Sequence, residues 1–309
     1  MLDPVRMSLQ IHSLYRSRSV AIYDVCCRPQ CREHGPEEHS SGHHIVFPRT
    51  GVFLKRVAGR EFVADPNHVL FFNQAEPYRV AHPVEGGDDC TVFEFRPELL
   101  LEVIGAYQPR VDERPERLFE FTHTLSDQQV FLFQQRVRQC LLPGVTDALT
   151  VDEFSLDLLA AVTRHTYLGR GIRPARRRAT TLHAHLEQTE QTRLLLGERF
   201  AEDLGLEDIA RAVHSSTFHL ARVFRRETGL AIHQYRNRLR LRAALERLVE
   251  QETDLTALAL GLGFASHSHF SDAFRRAFGV APSECRRRAT FKWLYEMSKN
   301  LEAGKTTPA

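Results

Sequence analysis

One arrangement of residues occurs twice towards the end of this 309-residue chain. Residues 206–229, LEDIARAVHSSTFHLARVFRRETG, and residues 255–279, LTALALGLGFASHSHFSDAFRRAFG, share the same order of features. Each has a short helical pattern, a tight turn, a serine (Ser216 or Ser266) and a second helical pattern closed by glycine. A serine before a helix and a glycine after it are typical end signals. The chain therefore contains two copies of one helix-turn-helix plan.

The second helix of each copy has one apolar face. Leu220 and Phe224 form it in the first copy, and Phe270, Phe274 and Phe278 form it in the second. In a helix-turn-helix the second helix enters the major groove of DNA, so its inner face has to hold it at a fixed angle. The outward positions are then expected to be small, polar or basic, and the free amides at the helix starts suit phosphate oxygens.

Arginine is concentrated in the same part of the chain. The net charge is only +2, which by itself predicts no polyanionic partner. Residues 222–247, however, hold eight arginines against Glu227 and Glu246, and residues 169–178 and 286–288 add further clusters. Single arginines on solvated helix faces are ordinary, but clustering of this kind favours a phosphate-binding surface.

A third helical segment joins the two copies. Residues 231–251 contain no glycine or proline and carry a regular apolar face. A helix of about 20 residues is about 30 Å long, close to the ~34 Å between successive major-groove faces of DNA. A rigid spacer of that length would let one chain contact two adjacent turns.

Residues 181–290 resemble the DNA-binding domain of the AraC/XylS family of bacterial transcription regulators. The residues that carry the resemblance are Ile209, Ala210, Ser216, Leu220, Arg222, Phe224, Gly229, Tyr235, Arg240, Leu241, Ala244, Leu248, Leu258, Ala259, Leu262, Gly263, Phe264, Ser266, Phe270, Phe274, Gly279, Pro282, Ser283 and Arg286. Two departures stand out. His214 occupies a turn position where a glycine or another small residue is usual, so strain or asparagine-like behaviour is expected there. Asp272 places an acid on the outward row.

Pattern and resemblance together give a set of expected DNA-contacting residues. These are Ser216, Thr217, Phe218, Ala221, Arg222, Arg225, Arg226, Arg240, Ser266, His267, Ser268, Ser271, Asp272, Arg275 and Arg276.

The N-terminal part has a different pattern. Residues 18–97 contain short runs rich in Val, Ile, Phe and Tyr, separated by turn residues, which predicts a small β-barrel or sandwich. This region resembles, more weakly, the cupin-like sensor half of many AraC/XylS members, and that resemblance implies effector binding or dimerisation. Residues expected near the barrel mouth are His43, Phe47, Tyr78 and His82. Their register is left open, since a shift of one residue turns every side chain to the other face.

Helical patterns follow residue 97. Two of them are expected to begin at Ser126 and Thr150, each with Gln or Glu three residues later, as in a capping box. The expected fold class is α+β multidomain, with an N-terminal cupin-like β-barrel and flanking helices followed by an all-α double helix-turn-helix domain. The expected domains are 1–168 for effector binding or dimerisation, 169–180 as linker, 181–290 for DNA binding and 291–309 as tail.

Residues 26–44 are rich in potential metal ligands. They comprise Cys26, Cys27, Cys31, His34, His39, His43 and His44. The spacing matches no standard zinc pattern, and a polar loop beside the barrel mouth is the favoured interpretation; metal sensing and a thiol redox role stay open. No catalytic residues, bound metal or cofactor are expected, and the protein is not expected to be an enzyme. The four-cysteine zinc cradle of alkyl-accepting relatives is absent.

These observations predict a sequence-specific transcription regulator, an effector-responsive activator, with two helix-turn-helix units in adjacent major grooves. The alternative is a metal- or thiol-responsive regulator acting through residues 26–44. The expected partners are double-stranded DNA, RNA polymerase, a small-molecule effector and a second copy of the chain. No apolar run approaches the 18–20 residues of a membrane span, so a cytoplasmic location is expected.

Overall fold

The computed structural model describes residues 8–28, 34–142, 146–175, 182–250, 254–288 and 293. The chain divides into two compact units. The first comprises Met1–Val137 and Phe154–Ala179, and the second comprises Arg138–Glu153 and Thr180–Ala309. Residues 138–153 therefore pack with the C-terminal part of the chain, although sequence patterns group them with the N-terminal part. The expected tail lies outside the described residues apart from residue 293, as does 176–180 of the expected linker.

The first unit is built from ten antiparallel strands among the described residues. They are β1 (Ser8–Arg16), β2 (Val20–Arg28), β3 (Glu38–His39), β4 (His44–Thr50), β5 (Phe53–Val57), β6 (Arg60–Ala64), β7 (His68–Phe72), β8 (Pro77–Ala81), β9 (Asp88–Phe95) and β10 (His123–Leu125). They form one sheet in the order β1-β2-β9-β4-β7-β10 and another in the order β3-β8-β5-β6. All the strands predicted between residues 18 and 97 are present, whereas β1 was not predicted.

Alternation along the strands separates two apolar layers. Val46, Phe53, Phe72 and Val92, drawn from both sheets, share one core cluster in the first unit. Because successive side chains point to opposite faces of a strand, their neighbours lie on the other face. Phe93 is such a neighbour, and it is fully buried in that second layer. The resulting interior, lined by both sheets, is where the internal cavity lies.

Helices α1 (Pro97–Gly105), α2 (Gln128–Cys140) and α3 (Ala148–Leu168) follow the strands. The expected starts at Ser126 and Thr150 are wrong, since an aspartate caps each helix instead. Asp127 accepts from the Val130 amide at 2.7 Å, and Asp147 accepts from the Thr150 amide at 3.0 Å. Asp and Ser serve equally well as N-caps, so the pattern alone does not decide between neighbouring candidates.

The second unit is helical throughout its described C-terminal part. Its helices there are α4 (Leu182–Arg199), α5 (Leu206–Ala212), α6 (Thr217–Thr228), α7 (Ile232–Val249), α8 (Leu255–Gly261), α9 (His267–Phe278) and α10 (Pro282–Arg288). Ser216 and Ser266 cap α6 and α9, as predicted, by accepting from amides three residues on. Both helices end at a left-handed glycine. In the part of the chain that is described, no helix is long and apolar enough to cross a bilayer.

The two tight turns differ in one residue that matters. His214, in the turn before α6, has φ 51°, and Gly263, in the turn before α9, has φ 82°. A histidine in the left-handed region is strained, as the sequence indicated. Gly263 has a second constraint, because a Cβ atom there would lie 2.3 Å from the carbonyl oxygen of Ala201.

Replacing Gly263 tests this close approach. Gly263→Ala should destabilise the second unit by on the order of 3 kcal/mol or more, because left-handed strain adds to a backbone clash. Gly229→Ala is the matched control, since Gly229 also has positive φ but has no atom within 4 Å of an added Cβ. The control should cost only about 1–2 kcal/mol. Equal losses in thermal or chemical unfolding would contradict the role assigned to the Ala201 contact.

Candidate nucleic-acid interface and internal cavity

Helix α6 presents an exposed basic face. Arg222, Arg225 and Arg226 are all exposed, and Ala221 is half-buried beside them. The Arg222 guanidinium lies 5.4 Å from the centre of the Phe218 ring, and no ion pair to it occurs within the described residues. Arg226 is engaged by Glu227 at 2.7 Å. Arg222 is therefore the α6 cation that is best placed to reach a partner.

The start of α6 differs from the prediction. Thr217 is only 7 % exposed and Phe218 only 8 %, so both belong to the inner side of the helix. A phenylalanine pointing outward would leave a large apolar surface in water, and burial removes that cost. These two residues are therefore removed from the expected outward row.

Helix α9 keeps the predicted outward row. His267, Ser268 and Asp272 are exposed, and Ser271 is half-buried between them. The corresponding inner face consists of Phe270, Ala273 and Phe274, which are buried in the core of the second unit. Arg275 and Arg276, which follow on the same helix, are exposed as well. The first turn of α9 therefore has two exposed polar residues, whereas His219 in the first turn of α6 is half-buried.

Arg240, predicted to contact DNA, lies inside the second unit. It is 2 % exposed, and its Nε donates to the carbonyl oxygen of Phe200 at 2.7 Å. One guanidinium nitrogen also lies 3.2 Å from Asp147 Oδ2. Its prediction as a DNA contact is wrong because every side of this guanidinium is already occupied. Burial lowers the pKa of Arg240 to about 10, so it remains a cation at neutral pH.

A second buried arginine shares the same acceptor. Arg236, one turn earlier on α7, is 1 % exposed, lies 3.0 Å from Asp147 Oδ2 and donates to the Leu204 carbonyl at 2.8 Å. Burial alone would raise the pKa of Asp147, but the two guanidiniums and the Thr150 amide hold it below its ordinary value. Asp147 therefore stabilises the fold at pH values above its unfolded pKa. That contribution is lost as the pH falls through the lowered folded pKa.

Glu153 makes the second connection between residues 138–153 and α7. Its carboxylate accepts from the amides of Ile232 at 2.9 Å and His233 at 2.7 Å, and it contacts His233 Nδ1 at 2.6 Å. These amides are the first two of α7 and have no partner within their own helix. Glu153 was expected to complete a capping box on its own helix; it caps a helix that begins 79 residues later.

An internal cavity of about 430 Å³, open to solvent on one side, lies in the first unit. Most of its wall is apolar, with Val46, Phe53, Phe72 and Val92 among the lining residues. Its ionisable lining residues are Tyr23, Cys27, Glu38, His39, His44, Tyr78, His82, Asp88, Cys90 and Glu94. The described lining includes no lysine or arginine, so the cavity suits a neutral or cationic molecule better than an anion.

Two of the four predicted mouth residues line this cavity. Tyr78 and His82 do, whereas His43 and Phe47 are buried on the opposite face of the sheet. The His43 ring lies 6.1 Å from that of Phe119, and the Phe47 ring lies 5.5 Å from that of Phe93. Their strand neighbours, His44 and Val46, point into the cavity instead. The register of this strand, which the sequence left open, therefore turns the two predicted residues away from the cavity.

Polar lining residues are paired within the wall. Tyr78 donates to Glu38 Oε2 at 3.0 Å, and Tyr23 donates to Glu94 Oε2 at 3.0 Å. Burial and the neighbouring carboxylate raise the pKa of each tyrosine, so both are neutral donors at neutral pH. A ligand can therefore compete for two tyrosine–carboxylate pairs.

Sequence reasoning missed Lys55. This side chain is fully buried, and its Nζ donates to the Phe71 carbonyl at 2.7 Å and lies 3.2 Å from the centre of the Phe72 ring. Burial lowers its pKa to about 7. The signal was available, because Lys55 stands between Phe53 and Val57 at the inward positions of β5.

The Cys/His-rich segment does not form a single cluster. His34 lies 2.7 Å from Glu61, and Cys31 falls outside the described residues. Cys27 is the member of the segment that joins a group of potential metal ligands in the described structure, and its partners there, His82 and Asp88, come from beyond the segment.

This chain is similar to known proteins in both its N-terminal and its C-terminal part. A family described as "Helix-turn-helix domain" matches residues 209–288. The HTH-type transcriptional activator RhaS of Escherichia fergusonii is 29% identical over 258 residues, which cover 81% of this chain and 87% of that protein. An AraC-type transcriptional regulator from Chromobacterium violaceum is 28% identical over 34% of this chain and 95% of its own, with a TM-score of 0.32. A cupin superfamily protein from Desulfitobacterium hafniense is 16% identical over 28% of this chain and 77% of its own, with a TM-score of 0.24.

The buried arginine pair predicts a large effect of one carboxylate. Asp147→Asn should lower the stability of the second unit by about 3–5 kcal/mol, because two buried guanidiniums lose their shared counter-charge. Amide hydrogen exchange along α7 in the full chain measures the free energy of unfolding of the second unit separately from that of the first. Glu187→Gln, which alters an exposed carboxylate on α4, should stay within about 0.5 kcal/mol of wild type. Unchanged protection of α7 in Asp147→Asn would show that the pair needs no acidic partner.

Proposed function

We propose, on the premise that this chain is a member of the AraC/XylS family of DNA-binding transcription regulators, that it binds double-stranded DNA through α6 and α9 and responds to a small molecule in its internal cavity. The observation that carries the DNA-binding part is the pair of matched helices. Each has a serine cap, a buried apolar face and exposed basic residues towards its C-terminal end. In this proposal the two helices enter adjacent major grooves, with α7 as the element between them.

The two helices have different roles in this proposal. On α6, Arg222 is the principal base-contacting residue, and Arg225 and Arg226 contact the backbone. On α9, the exposed first turn and Asp272 face base edges, where a carboxylate can accept from a cytosine amino group. Because α9 has more exposed polar groups, the α9 half of the operator is expected to be read more selectively.

Transcriptional activation is the second part of the proposal. The RhaS relative is named an activator, and its similarity extends over 81% of this chain. We extend that role to this protein, with RNA polymerase as the partner that the DNA-bound chain recruits.

Phe131 and Leu132 on α2 are 50% and 62% exposed, and this apolar pair supports a contact with a second copy of the chain.

A substitution at Arg222 tests the DNA-binding proposal. Arg222→Ala should weaken specific operator binding by about 1–3 kcal/mol at fixed salt, because a bidentate base contact is lost. Arg193→Ala, on α4 and outside the helix-turn-helix match, is the control and should bind as wild type does. The measurement is an operator titration against non-specific DNA of the same length. A folded Arg222→Ala protein with wild-type affinity would contradict the assignment.

Filling the cavity tests the effector proposal. Val80→Phe adds volume at a half-buried lining position, so it should abolish the response of a reporter promoter to growth conditions while DNA binding persists. Val63→Phe is the control, because Val63 is 50% exposed on β6, which belongs to the same sheet. The effector proposal fails if the Val80→Phe protein responds as wild type does under every condition that changes wild-type regulation.

A further inference from the structure

Three buried side chains of different chemistry converge in the wall of the cavity. Cys27, His82 and Asp88 each offer one potential ligand atom, and these atoms all lie within 4.8 Å of one another. All three residues line the cavity. The cluster is therefore both shielded from bulk water and next to the space that a small molecule would fill.

The sheet register produces this cluster. β2 and β9 are antiparallel, and Cys27 lies directly opposite Asp88. Directly opposed residues place their Cβ atoms about 4.5–5.5 Å apart on the same face. His82 follows the end of β8, and its Nε2 lies 2.6 Å from Asp88 Oδ1. Backbone pairing thus fixes two of the three side chains independently of any ligand.

The adjacent pair of residues provides a contrast. Cys26 lies opposite Asp89 in the same register, so this second Cys–Asp pair points to the other face of the sheet. Asp89 is engaged by Arg28 at 2.6 Å and by Thr50 at 2.8 Å. Asp88 has no such arginine on its carboxylate in the described structure; its partners there are the His82 ring and the Cys90 thiol, at 3.1 Å. Arg28 thus binds the carboxylate of the outer pair, whereas it reaches the inner pair only through the main-chain carbonyls of Cys27 and Asp88.

We propose that Cys27, His82 and Asp88 bind a zinc-class divalent cation, with a fourth coordination position that faces the cavity. Sulfur, nitrogen and oxygen donors are the ligand types that Zn²⁺ takes in proteins, and three protein ligands with one open position are typical of reactive zinc sites. The cation also supplies positive charge beside a buried carboxylate, which is otherwise costly to keep ionised. Cys90 acts through Asp88, whose second oxygen it orients.

The binding step balances as a proton exchange. Zn²⁺ forms a bond to Cys27 Sγ as the S–H bond breaks, and the thiol proton passes to solvent. The proton that His82 Nε2 shares with Asp88 Oδ1 leaves to solvent, and the neutral ring takes one up from solvent at Nδ1, so that Nε2 and Oδ1 can both donate lone pairs to the metal. No oxidation or reduction occurs. A ligand in the cavity can then supply the fourth donor atom, and this last role alone rests on the proposed effector function.

Metal titration of the full-length chain tests the site. Purified protein freed of metal should take up one equivalent of Zn²⁺ at this site in competition with a chromophoric chelator, and Co²⁺ should give a thiolate charge-transfer band. Cys27→Ser and Asp88→Asn should each weaken Zn²⁺ binding on the order of 100-fold or more. Loss of a residue that only hydrogen-bonds a metal ligand already costs about 10- to 100-fold, and loss of a ligand should cost at least as much. Mg²⁺ should not compete, because a thiolate-containing site disfavours hard cations.

Matched variants separate this site from the rest of the Cys/His-rich segment. Cys26→Ser and Asp89→Asn alter the outward pair and should leave the affinity unchanged. If Zn²⁺ binding is absent, or is lost in Cys26→Ser and retained in Cys27→Ser, the proposal is overturned. Retained β-sheet circular dichroism and operator binding in Cys27→Ser exclude misfolding as the cause. Operator binding by wild type without metal uptake would overturn the metal site and leave the proposed DNA-binding function intact.

Imidazole tests the open position. Added to the Co²⁺-loaded protein, it should change the visible d–d spectrum by supplying a fourth donor from the cavity. Val80→Phe, which narrows the cavity, should weaken this change while the Co²⁺ stoichiometry stays the same. A spectrum that does not respond to imidazole would overturn the open fourth position.

Discussion

The second unit depends on one buried electrostatic arrangement, in which Asp147 lies between Arg236 and Arg240 of α7. Two guanidiniums inside a helical domain are costly unless their charge and their N–H groups are satisfied. Asp147 supplies the charge, and the carbonyls of Phe200 and Leu204 accept hydrogen bonds from Arg240 and Arg236, while Nε and one terminal nitrogen of Arg236 have no hydrogen-bond partner in the described structure. The long helix between the two helix-turn-helix units is thereby fixed to the segments that surround it. The angle at which α6 and α9 are presented depends on that fixation.

The helical half could be predicted from sequence because its determinants are local. Ser216 and Ser266 mark the N-termini of α6 and α9, and the phenylalanine spacing of α9 identifies its buried face. The unusual backbone expected at His214 is present as a positive φ, which fits both strain and asparagine-like behaviour. Each of these features depends on residues only a few positions apart, which is the range over which pattern and propensity are informative.

The errors arose where distant residues decide the outcome. Arg240 looks like its exposed neighbours in sequence, and only the approach of Asp147, 93 residues away, shows that it is internal. In the sheets, the alternation of β4 is visible, but which face is inward depends on pairing with β7 and β9. That choice places His44 in the cavity wall and His43 behind it. The cluster of Cys27, His82 and Asp88 has the same origin, since a cross-strand register joins residues that no motif connects.

Residues 138–153 make the DNA-binding unit discontinuous in sequence. A recombinant fragment that starts after the expected linker would carry every residue of the helix-turn-helix match but neither Asp147 nor Glu153. It would retain two arginines that lack their acidic neighbour and an α7 whose first amides lack their cap. The chain passes from one unit to the other three times, after residues 137, 153 and 179, so a chimera that exchanges whole units needs a junction at each of these three places.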